Sequence, residues 1–146
     1  MPLARFSHLA LNVSDLARSE AFYLRVLEPL GVVGADGEAG RYRRLTNQAD
    51  LVIVLAQAEV RFLDRGHHRK APGLHHLALV VPEAEDLDMM QRHLHALGVP
   101  LLGQGRYASD YRGGYHGLMF EDPDRITIEI ANHDAHAYFS EGCPVG

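Results

Sequence analysis

Tryptophan is absent from this chain of 146 residues, and there is a single cysteine, Cys143. One thiol can form no intrachain disulfide and no thiolate cage, which excludes a disulfide scaffold and a cysteine-based zinc module. Positive charge is in short supply: 14 Lys and Arg stand against 19 Asp and Glu, a net charge of −5 with histidine neutral. With no run of like charges either, the chain is a poor partner for nucleic acid or an anionic membrane surface. No apolar run nears the roughly 18 residues that span a bilayer. The opening Met1-Pro2-Leu3-Ala4-Arg5 carries no apolar signal core, so a cytoplasmic protein is expected. What remains is an ordinary globular composition, 47% hydrophobic and 23% charged, of a size for one domain. The residue in surplus is histidine, with ten copies, and its chemistry directs the search for a site.

The chain contains an internal repeat. Ser7-His8-Leu9-Ala10-Leu11-Asn12-Val13 recurs as His75-His76-Leu77-Ala78-Leu79-Val80-Val81, five of seven positions identical at an offset of 68. Each copy precedes a helical stripe. Leu16, Phe22, Tyr23, Val26, Leu27 and Leu30 form the first, stopped at Gly31; Leu87, Met90, Leu94 and Leu97 form the second, stopped at Gly98. Ser14 or Asp15 can cap the first helix, and Pro82 suits the start of the second. Strands are then expected at 41–45 and 51–55, and again at 115–120 and 126–130, the last two joined by Asp122-Pro123-Asp124. A short further strand is expected near Val32-Val33 and another at Pro100-Leu101-Leu102. The pattern predicts a single α+β domain over 1–146 built from tandem βαβββ modules. Module one spans about 5–57, a polar linker 58–73, module two about 74–131 and a tail 132–146. The segment Gly103–Gly114, rich in Gly and Tyr, is expected to be a loop able to cover a site.

His8 and His76 hold the same place in the two copies, so a pseudo-twofold relation of the modules would turn both imidazoles toward one cleft. Glu129 sits inside the apolar stretch Ile126-Thr127-Ile128-Glu129-Ile130, where a carboxylate needs a partner. Two imidazoles and a carboxylate make a metal-binding triad with open coordination positions. His75, next to His76 in an expected strand, should point to the opposite face. The remaining histidines fall in linker, helix or tail, where solvation is expected.

These strings resemble the vicinal oxygen chelate superfamily, which includes glyoxalases, bleomycin-resistance proteins, extradiol dioxygenases and fosfomycin-resistance enzymes. The resemblance covers residue 5 to about 131. It rests mainly on Gly73-Leu74-His75-His76-Leu77-Ala78-Leu79 and on Gly113-Gly114-Tyr115-His116-Gly117-Leu118-Met119-Phe120-Glu121-Asp122-Pro123-Asp124. It implies curved mixed sheets around a central cleft, and metal ligands at the positions of His8, His76 and Glu129. It also implies a homodimer, which the open sheet edges of such modules favour as well. One divalent ion per chain, Fe, Mn, Ni or Zn, suits a set with two imidazoles.

The departures from the family pattern bear on the reaction. Val54 falls where glyoxalase I enzymes carry a fourth ligand. Met119 falls where ring-cleaving dioxygenases and fosfomycin enzymes often carry a tyrosine. Arg125 replaces the glycine of the usual Asp-Pro-Asp-Gly turn. Tyr115 and His116 are the nearby catalytic candidates, on opposite faces of their strand. Arg112 and Tyr111 are candidate substrate contacts, Arg112 for an anionic group. The expected function is a metal-dependent enzyme, dioxygenase-like or lyase/isomerase-like, acting on a small oxygenated substrate. The alternative is a metal-free protein that sequesters a small molecule or antibiotic in a groove lined by Tyr107, Tyr111 and Tyr115.

Overall fold

Alternating burial along Val52–Gln57 and Leu9–Val13 fixes one face of a first sheet, and the repeat builds a second sheet in the same order. The computed structural model describes residues 3–103, 105–109 and 115–135. The elements are β1 (Leu9–Val13), α1 (Leu16–Val26), β2 (Val33–Glu38), β3 (Tyr42–Thr46), β4 (Val52–Gln57), β5 (Leu77–Val80), α2 (Ala84–Ala96), β6 (Tyr107–Ser109), β7 (Tyr115–Glu121) and β8 (Thr127–Ala131). The sheets run β1-β4-β3-β2 and β5-β8-β7-β6. In each, the opening strand pairs in parallel with the last strand and the other pairings are antiparallel. The fold is therefore α+β with two four-stranded mixed sheets, as the repeat predicts. Among the described residues no helix is long and apolar enough to cross a membrane.

The chain divides into two compact units. The first runs to His68 and takes in Asp122–Arg125; the second comprises Arg69–Glu121 and the chain from Ile126 onward. In the first unit, Leu11, Val13, Leu45, Ile53 and Leu55 of the sheet and Leu16, Tyr23 and Val26 of α1 make up the core. Asp15, not Ser14, caps α1, accepting from the Arg18 amide at 3.0 Å. Gln57 accepts from the Leu16 amide and donates to the Ser14 carbonyl, each at 3.0 Å, which ties the helix start to the end of β4. The Ser14 amide in turn donates to Asp124 at 2.9 Å.

Tyr23 is 1% exposed, and its hydroxyl donates to the buried Asp122 carboxylate at 2.9 Å. Burial first, and then the Asp122 charge, push its phenol well above the ordinary range. An unfolded tyrosine ionises near pH 10. Below that pH both states keep the proton; above it the unfolded chain sheds the proton and the native state holds it. Stability is therefore fully present below about pH 10 and declines as pH rises further. Replacing Tyr23 with Phe should cost about 2 kcal/mol near neutrality, the worth of a hydrogen bond to a charged group, and should flatten the alkaline decline. Urea denaturation at about pH 7 and about pH 10.5 checks both effects.

In the second unit all five residues of β8 are buried, and Leu118, Phe120, Ile128 and Ile130 of the sheet and Leu87, Met90 and Leu94 of α2 make up the core. Glu83 and Asp86 close a reciprocal capping box at the start of α2, one residue after Pro82.

The structure adds to or departs from the sequence expectations at four places. The opening strands begin at Leu9 and Leu77, so His8 and His76 precede them by one residue. The stretch 58–73 contains a 3-10 segment, Val60–Arg65. The edge strand of the second sheet is Tyr107–Ser109, inside the segment expected to be loop. At 100–102 there is only a bridge from Leu101 to Phe120, because Pro100 has no amide to donate and Gly103, at φ 67°, turns the chain away.

Arg125 adopts φ 67°, the left-handed conformation that the usual glycine takes without a Cβ penalty. Arg125→Gly should stabilise the chain by about 0.5 kcal/mol, the relief of left-handed strain offset in part by the greater freedom of an unfolded glycine. An unchanged or lower denaturation midpoint would count against this account of the turn.

Candidate functional site

The two sheets place their residues in matching registers. In the first, Val54 lies between Ala10 of β1 and Arg44 of β3; in the second, Glu129 lies between Ala78 of β5 and Met119 of β7. Val54 is thus the counterpart of Glu129, and Arg44 the counterpart of Met119. At the register of Glu129 the first sheet therefore carries an isopropyl group, which binds no metal.

Glu129 is 3% exposed, and a carboxylate removed from water to that degree has to be compensated. His76 supplies part of this, its Nε2 lying 3.0 Å from Glu129 Oε2. The hydroxyls of Tyr107 and Tyr115 both donate to Glu129 Oε1, and lie 3.2 Å from each other. Burial, and then the bond to Glu129, raise the pKa of both phenols, so they are held as protonated donors.

Alternation along β7 decides between the two catalytic candidates. Tyr115, Gly117 and Met119 share the face of Glu129, whereas His116 takes the other and its amide donates to Asn132 Oδ1 at 2.8 Å. Tyr115 also meets His133, with ring centroids 5.2 Å apart.

Two participants escape the sequence. Tyr107 pairs with Gly117 across β6 and β7, and a Cβ at Gly117 would come within 2.6 Å of the Tyr107 hydroxyl. The missing side chain is what lets the tyrosine lie over the strand and reach Glu129. The signal was a glycine inside an apolar strand, which marks a close approach. The second is His75, expected to face away from His76. Its Nδ1 lies 2.7 Å from His76 Nδ1, with the rings 5.0 Å apart. Strand alternation does not apply because the strand starts only at Leu77.

His8 belongs to the first unit, where its Nδ1 lies 3.0 Å from Ser7 Oγ. The structure thus brings His76 and Glu129 together, and among the described residues no group of three or more His, Cys, Asp or Glu gathers in a metal-holding cluster. Tyr111 and Arg112 lie outside the described residues. An imidazole nitrogen and a buried carboxylate oxygen converging from two elements fit a first-row divalent ion better than calcium, which favours an all-oxygen shell.

A sequence model of the Glyoxalase/Bleomycin resistance protein/Dioxygenase superfamily matches residues 5–130. YqjT, an uncharacterized protein of Bacillus subtilis, is 33% identical over 123 residues, covering 84% of this chain and 94% of that protein. The crystal structure of a provisional glyoxalase from Bacillus halodurans is 31% identical, covers 85% of this chain and 92% of its own, and superposes with a TM-score of 0.75. A mutant of the fosfomycin resistance protein FosX of Listeria monocytogenes, complexed with Mn(II) and 1S,2S-dihydroxypropylphosphonic acid, is 17% identical. It covers 95% of this chain and 99% of its own at a TM-score of 0.70, a likeness of fold alone.

Proposed function

The chain belongs to the Glyoxalase/Bleomycin resistance protein/Dioxygenase superfamily, and from that premise we propose that it is a metal-dependent enzyme acting on a small oxygenated molecule. The observation that carries the reading is the buried Glu129, the only strand carboxylate of β8, 3.0 Å from the half-buried imidazole of His76 in the repeat. His76 and Glu129 would hold one divalent ion. Manganese in the FosX complex supports the choice among first-row ions. Such an ion supplies Lewis acidity to oxygen atoms of a bound substrate.

The protein's own contribution is to place proton donors around the ligand carboxylate. Tyr107 and Tyr115 fix the orientation of Glu129 through their hydroxyls. Tyr115, held protonated, can turn its hydroxyl away from Glu129, which keeps the bond from Tyr107, and donate instead to oxygen charge that develops on the substrate. This serves a lyase/isomerase-like or a dioxygenase-like reaction alike. A homodimer is part of the proposal, because each sheet leaves edge strands for a second copy to cover.

The test is calorimetric. Protein made without a metal-affinity tag and stripped with EDTA is titrated with Mn(II), Ni(II) and Zn(II). The proposal requires saturation at one ion per chain by at least one of them. Absence of binding by all three would overturn it in favour of the sequestering protein.

A further inference from the structure

We propose that the first unit carries its own site for a small organic carboxylate with an apolar body, on the face of its sheet formed by β3 and β4. The hollow there has a volume of about 450 Å³ and is lined by Ser7, His8, Tyr42, Arg44, Val52 and Val54. That volume lies within the range of small-molecule pockets, which are mostly apolar with a few convergent polar groups.

The register of the two sheets shows how this face differs from its counterpart. Where the second sheet sets Glu129, the first sets Val54; where the second sets Met119, the first sets Arg44. The buried acid has gone and a guanidinium, itself paired with Asp36, has arrived. Val52 and Val54 give it an apolar floor. The Arg44 guanidinium lies 5.1 Å from the centre of the Tyr42 ring, which restrains its plane. A planar cation above a flat apolar floor recognises a planar anion with an attached hydrocarbon, which is a carboxylate rather than a free inorganic ion.

Arg44 is already paired with Asp36 at 2.6 Å, but the two side chains are 44% and 65% exposed. An exposed pair of this kind is worth little, so a ligand carboxylate that also covers apolar surface can take the place of Asp36. Binding at this site does not depend on the proposed metal.

The experiment uses the full chain stripped with EDTA, so that failure of the metal reading leaves it intact. Phenylacetate, phenylacetamide and inorganic phosphate are titrated in turn, followed by amide shifts and calorimetry. Phenylacetate should bind saturably and shift amides of Tyr42–Thr46 and Val52–Gln57. Phenylacetamide and phosphate should each bind about tenfold more weakly or worse, since one lacks the charge and the other the apolar body. Arg44→Gln should weaken phenylacetate about tenfold, and Asp36→Asn, which removes the competing carboxylate, should strengthen it. The proposal is overturned if phenylacetate does not bind at millimolar concentration, if the amide or phosphate matches it, or if Arg44→Gln leaves the affinity unchanged.

Discussion

Glu129→Gln is expected to lower the affinity for a divalent ion by about 10²-fold or more while leaving the fold intact. Loss of a group that merely supports a ligand already costs 10–100-fold, and removing a charged ligand should cost at least as much. The substitution is nearly isosteric. A glutamine amide oxygen can still accept from Tyr107 and Tyr115, and its NH₂ can face His76, so the buried polar positions around it stay satisfied. Stability should therefore change by less than about 1 kcal/mol. His76→Ala should lose the ion as well, but it also strips a partner from a carboxylate that is 3% exposed, so some destabilisation is expected to accompany it. Calorimetric titration with Mn(II) beside urea denaturation separates the two effects. Wild-type affinity in both variants would remove this pair from any metal site.

The second large effect is expected at Tyr115. Tyr115→Phe should reduce turnover about 10²-fold, the usual contribution of a single positioned proton or hydrogen-bond donor, with metal content unchanged. The hydroxyl of Tyr107 remains on Glu129 Oε1, so the carboxylate keeps its orientation. His116→Ala should leave turnover near the wild-type value, because His116 occupies the opposite face of β7 from Glu129. Steady-state kinetics on a substrate found by screening decides the matter. Full activity in Tyr115→Phe, or a loss confined to His116→Ala, would reverse the assignment.

What was legible in the sequence follows from where the information resides. The repeat announced the order of strands and helices, because apolar positions at helical and strand spacing record burial directly. Glu129 stood out because a charge inside a strand buried on both sides is costly and needs a reason. Val54 could be matched to it before any coordinates, and the strand registers agree. β6 was missed because a three-residue strand containing Ala and Ser carries no pattern of its own; its conformation comes from pairing with β7. Tyr107 was read only as a possible groove lining, since its bond to Glu129 crosses from β6 to β8, a relation visible only once the sheet order is known. His75 was misplaced because alternation was extended back past the first residue of β5.

The most direct measurement is anomalous diffraction at the manganese edge from crystals of the protein loaded with Mn(II). The account predicts one peak per chain within about 2.3 Å of both His76 Nε2 and a Glu129 carboxylate oxygen, a coordination distance for such ligands. A peak elsewhere with none at this pair, or no peak in crystals grown with excess Mn(II), would contradict it.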